Sequence, residues 1–157
     1  MPVTPSGILS LPLDYLRDLI AAVTAFQTWT STASAAAAKA RIHVQLLNAA
    51  NIVRPFAVVG FGPGTVFTPP SLGAFGQHNL HLMLESAAIT AGTSHQDAVF
   101  QFLNDTGPII EGAANLAGTP GYLFVQQIEF IKVCERSAQA ESVDYIQAHW
   151  VFRTGAR

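Results

Sequence analysis

Two runs near the C-terminal end decide how this chain reads: YLFVQQIEFIKVCER (Tyr122–Arg136) and VDYIQAHWVFR (Val143–Arg153), joined by the polar stretch Ser137-Ala-Gln-Ala-Glu-Ser142. In the second run Ile146, Ala148, Trp150 and Phe152 recur at every other position. Tyr145, Gln147, His149 and Arg153 fill the places between them. That period of two is the mark of a strand with one buried face. The first run is less regular. Counted alternately, Phe124, Ile128 and Phe130 share one face, while Val125, Ile131 and Val133 line the other among Gln127, Glu129 and Glu135. A strand apolar on both sides needs cover on both sides. A helix of the same chain can cover one, and a second subunit the other, so Val125, Ile131 and Val133 are the candidate subunit interface.

Upstream of this pair, Ser94 is placed as an N-cap with Asp97 three residues on, an acidic variant of the capping box. Val99, Phe102, Leu103, Ile110, Ala113 and Leu116 form the core face of the helix that follows, and Gly118 with Pro120 ends it. Pro108 inside it removes a hydrogen bond and predicts a kink or a split. Before this helix lies the most regular strand, with Leu80, Leu82 and Leu84 inward and Asn79, His81, Met83 and Glu85 outward. Residues 61–73, rich in proline and glycine, predict a projecting loop. Ile52–Gly60 reads as a strand that Pro55 confines to an edge or a bulge, after a turn at Asn48–Asn51.

The N-terminal third is helical in pattern. From Pro12 a helix carries Leu16, Leu19, Ile20, Val23 and Phe26 on one stripe, with Asp14 and Asp18 near its favourable positive end. Thr28–Ser34 breaks it, and Ala35–Ile42 reads as a second short helix. Residues 1–11, with Pro2, Pro5 and Gly7, read as an extended arm, leaving one domain at 12–157. The expected fold is α+β in the order α-β-β-α-β-β: a mainly antiparallel four-stranded sheet with the helices packed on one face.

Composition limits the function. The chain of 157 residues is 50% hydrophobic and only 11% charged, against about a quarter charged in ordinary soluble domains. Surface buried against neighbouring subunits accounts for the deficit. A membrane does not: the blandest run, Ala33–Ala40, is interrupted by Ser34 and Lys39 and is too short to span. The start, Met1-Pro-Val-Thr-Pro-Ser-Gly, lacks the basic region of a secretory signal. The net charge of −2, without a Lys/Arg cluster, excludes a general phosphate grip on nucleic acid. A single cysteine excludes an intrachain disulfide and a thiolate cage. Cys134, in alternate register with Phe124 and Phe130, reads as a small buried hydrophobe.

Catalytic patterns are wanting. Gly60-Phe-Gly-Pro-Gly64 is followed by Thr65-Val-Phe-Thr-Pro-Pro instead of the helix a phosphate loop requires. His78, His81 and Glu85 could suggest a metal, but positions three apart on a strand point to opposite faces. His43, His95 and His149 read as solvated, interfacial or polar-face residues. Glu129 and Glu135 stand about 20 Å apart at strand rise, too far to share a proton. No serine occupies a nucleophile elbow. The expectation is a protein without catalytic, metal or cofactor residues.

Element order and particular stretches together resemble the tail terminator (tail completion) proteins of long-tailed bacteriophages. The similarity runs through Phe26-Gln-Thr-Trp29, Arg54-Pro-Phe-Ala-Val-Val59, the strand–helix unit Leu80–Leu116, and Asp144-Tyr-Ile-Gln-Ala-His-Trp-Val-Phe152. The resemblance implies a virion protein assembled in the host cytoplasm as a ring, a homohexamer. Such a ring caps the head-proximal end of the tail tube, stops its polymerisation and meets the head–tail connector, while DNA passes through the lumen without sequence-specific binding. A sliding channel should avoid regularly placed cations, which makes Glu135, Glu141 and Asp144 candidate lumen or rim residues. The alternatives are another neck or head–tail connector subunit, or a dimeric small-molecule-binding or enzymatic α+β domain using the open sheet face as its pocket.

Overall fold

The computed structural model describes residues 3–44, 52–65, 77–117, 125–136 and 145–155. Helices α1 (Gly7–Ala22), α2 (Thr24–Trp29) and α3 (Ala35–Lys39) come first. Strands β1 (Ile42–Val44), β2 (Phe56–Phe61) and β3 (Gln77–Glu85) follow, then α4 (His95–Leu116), β4 (Val125–Arg136) and β5 (Tyr145–Gly155). The class is α+β as expected, but the sheet is mixed and five-stranded, in the order β1-β2-β3-β5-β4. The extra strand is β1, which pairs parallel with β2. It uses Ile42 and Val44, β-branched residues that favour a strand once α3 stops at Lys39. The short helix expected to reach Ile42 therefore ends three residues early. The added strand also makes β2 internal: Pro55 sits just before the strand and leaves its ladder intact, so it marks no edge.

Cross-strand register sorts the sheet into two faces. On one, Ile42, Ala57, Leu84, Ala148 and Val133 form a row across all five strands. Val44, Val59, Leu82, Trp150 and Phe130 form the next row, and Phe61, Leu80, Phe152 and Ile128 a third. Leu13, Leu16, Leu19 and Ile20 of α1, Phe26 of α2 and Phe102, Ile109 and Ala113 of α4 pack into the same core as these rows, apart from Val44 and Phe130 at the sheet's two edges, which are exposed. The described helices thus cover this face, hereafter the inner one, and its buried side chains supply most of the folding energy at about 25 cal/mol per Å² of apolar surface removed from water.

The helices differ in detail from the sequence pattern. The N-terminal arm is helical from Gly7, so the expected extended segment at residues 1–11 is shortened, and Pro12 lies inside α1 instead of opening it. The Ser10 hydroxyl bridges the start of this helix, accepting from the Ser6 N–H and donating to the Ser6 carbonyl. Asp14 and Asp18 are consequently mid-helix. Their role is to hold Lys39 of α3, at 2.9 and 2.6 Å, while Asp14 also takes Arg17 at 3.3 Å. Partial burial pulls the Lys39 ammonium down, yet hydrogen bonds and charge from Asp18 and Asp14 outweigh it and its pKa ends raised. The stripe from Pro12 to Phe26 is interrupted at Val23, which is extended. The Gln27 side chain donates to the Ala21 carbonyl at 2.9 Å across this break. Gly112 of α4 lies against the same valine: a Cβ there would meet Val23 Cγ1 at 2.6 Å. Ser94 caps α4 as expected, accepting from the Asp97 N–H at 3.1 Å, and the helix runs through Pro108 as one element instead of splitting.

Of the loop expected at 61–73, Phe61 belongs to β2 and Gly62–Thr65 form a turn fastened to β3. The Gly62 N–H donates to the Asn79 carbonyl at 2.7 Å, and the Asn79 amide donates to the Pro63 carbonyl at 2.9 Å. Residues 66–73, the turn at Asn48–Asn51 and the 137–142 connection lie outside the described residues.

Candidate subunit interface

β4 is one edge of the sheet, and its register resolves the irregular pattern in the sequence. Pairing with β5 shifts twice, between Val125 and Gln127 and between Phe130 and Lys132. Each shift is a bulge, in which one extra residue resets the alternation. Val125, Ile128, Phe130 and Val133 all fall on the inner face as a result, opposite Thr154, Phe152, Trp150 and Ala148. Val125, Ile128 and Val133 pack against the core, and Phe130 stands edge-on to Trp150 at 5.9 Å. The strand is therefore apolar on one face with two bulges, and not on both faces. Of the candidate interface residues, Val125 and Val133 pack against this chain's own core. Ile131, the residue without a register partner at the second bulge, is 46% exposed beside Phe130 at 53%.

The same bulge sends Cys134 to the outer face, away from Phe130. It lies half-buried, 3.6 Å from His149 Nε2 and 3.7 Å from Gln147 Oε1. His149 Nδ1 in turn meets His81 Nε2 at 3.0 Å, with the rings stacked 5.0 Å apart. Burial holds His149 down to about 4, and repulsion from His81 and Lys132 adds to it. His81 is also lowered, by burial first and then by Lys132. These two imidazoles are thus uncharged at neutral pH. His43, whose pKa is lowered by burial and then by Arg17 and Arg41, stands edge-on to Phe56 at 5.8 Å. The central row of this outer face runs His43, Val58, Met83, His149 and Lys132.

At one end of the face sits a buried carboxylate that the alternation put in solvent. Glu85 is fully buried. It accepts from Arg54 Nε at 2.7 Å, from Arg136 Nη1 at 3.2 Å and from Gln147 Nε2 at 2.6 Å. Arg54 is itself stacked on Tyr145, 4.1 Å from the ring centre, and lies over Phe56 at 5.5 Å. A buried carboxylate is tolerated only with such compensation. At the other end, Arg153 holds Glu129 at 2.7 Å. The outer face therefore has a largely uncharged centre and ion-paired ends, and no described helix packs on it.

The remaining candidates are dispersed. His78 points inward near Phe61, with its ring centre 6.3 Å away, while His81 points outward and Glu85 is tied to arginines. Among the described residues no three His, Cys, Asp or Glu side chains could hold a metal ion together. Glu135 extends from the inner face to His95 at the start of α4, at 3.3 Å. Glu141 and Asp144, the other proposed rim acids, lie outside the described residues. A cavity of about 440 Å³ opens between the 86–93 segment, Trp29 and the first turns of α4, with alanine, serine and threonine making up half of its lining beside Phe102, Ile146 and Asp105. No described helix is long and apolar enough to cross a membrane.

No signal in the sequence alone exposes the outer-face cluster, since Cys134, Gln147, His149 and His81 come from three strands and the bulge that brings Cys134 to His149 is silent in a hydropathy pattern. Compared with known proteins, the chain matches no protein-family model and no curated protein.

Proposed function

We propose that this chain is a structural, ring-forming subunit of the tail terminator type, capping the tail tube of a long-tailed bacteriophage and joining it to the head connector. The observation that carries the reading is the two-layer build: helices on one face of a five-stranded sheet, and an outer face with a weakly charged centre and no described helix over it. Together with a charged fraction of 11%, this build favours a subunit that completes its burial against copies of itself. The resemblance in element order supplies the tail-terminator assignment, a homohexamer as the ring, and the virion neck as its place. The corresponding test is genetic. Removing the gene from its phage should leave tubes of uncontrolled length that do not join heads, and normal tails in its absence would refute the reading. A dimeric small-molecule-binding or enzymatic domain is the second reading, favoured by the cavity beside α4. Saturable binding of a small molecule that Phe102→Trp abolishes would support it.

A further inference from the structure

The ring reading leaves open which surfaces of neighbouring subunits meet, and two described surfaces on opposite sides of the molecule are complementary. The outer sheet face carries Arg54, Arg136, Arg153 and Lys132 against two carboxylates, Glu85 and Glu129, and both carboxylates already serve arginines. Lys132 is exposed and has no ion-pair partner among the described residues. Across the molecule, α4 buries Ala98, Phe102, Ile109 and Ala113 and turns its other side to solvent. That side carries Asp97 and Glu111, both exposed and without a cation partner among the described residues, and Phe100, which is 56% exposed; Asp105 lies on the flank that lines the cavity instead.

We infer that the acidic outward side of α4 in one copy docks on the outer sheet face of the next copy. Phe100 then meets the uncharged centre around Met83 and Val151, and the α4 carboxylates approach Lys132. The contact turns each two-layer domain into part of a helix–sheet–helix sandwich, an arrangement that covers both faces of a sheet. Its two halves are different surfaces, so the contact is head-to-tail and propagates from subunit to subunit until the rotation closes a ring. A two-fold pairing of outer faces would instead bring two Lys132 ammoniums and two sets of arginines together. Like charges across an interface oppose that arrangement.

The test, which rests on the ring reading, uses the full chain in three forms: Lys132→Glu on the sheet, Glu111→Lys on α4, and both changes together. Sedimentation over a concentration series reads the assembly, and circular dichroism melting checks that each form is folded. Each separate change should weaken assembly by about tenfold or more, and the combined form should recover most of the loss. Folded variants that assemble as well as the parent, or that weaken it without recovery in combination, overturn the docking while the ring stands. A parent chain that stays monomeric at every concentration removes the ring reading and this contact with it.

Discussion

His149 illustrates how a residue that reads as an ordinary polar-face position acquires a distinct environment in the folded chain. It touches His81 on one side and Cys134 on the other, with Lys132 beside it in register. Its folded pKa of about 4 lies below the ordinary 6.5, so on acidification the unfolded chain takes up the proton first. The stability this histidine supplies is complete above about pH 6.5 and drains away as the pH falls towards 4. Replacing it with glutamine, which stays neutral, should flatten that part of the profile. The measurement is the urea midpoint of both proteins between pH 7 and pH 4, a range set by the folded and ordinary values. The parent should lose more stability than His149→Gln over that interval; parallel curves would mean that the imidazole is not held neutral. Glu85 is the other residue whose environment alternation could not foresee. Its place on the outer face was legible, but the arginines and the glutamine that enclose it come from three other stretches of chain.

At the scale of elements, β4 separates what sequence periodicity can and cannot deliver. Regular strands were legible: Leu80, Leu82 and Leu84 in β3, and Ile146, Ala148, Trp150 and Phe152 in β5, are all buried as their alternation implied. The capped start of α4 was equally legible, because Ser94 and Asp97 are local to one turn. Bulges were not, since an extra residue leaves composition unchanged and only inverts the parity of the residues after it. β1 was missed for a related reason, as three residues are too few to show a period. The second bulge makes a sharp distinction between neighbours two positions apart. Ile131→Asp should cost less than about 1 kcal/mol, because the side chain is largely exposed. Val133→Asp should cost more than about 3 kcal/mol, because it drives a charge against the core. Chemical denaturation of the two variants decides it. Equal costs would place both residues in the same environment and remove the bulge from the account.

The whole molecule is a single helix layer on a mixed sheet whose second face is polar at its ends and nearly uncharged at its centre. Sheet faces of this kind in stable proteins are either solvated, with abundant charge, or covered. This chain has little charge for solvation, and the four cations described on its outer face are mostly committed to Glu85 and Glu129. On the proposed ring reading, cover by further copies would reconcile the composition with the layer arrangement. The most direct measurement is the mass of the purified chain in solution by sedimentation equilibrium or native mass spectrometry. A closed ring of six copies of the 16.7 kDa chain should appear as one species of about 100 kDa whose mass does not climb further with concentration. A monomer or a dimer that persists at the highest concentration reached would contradict the assignment of this protein as a ring subunit.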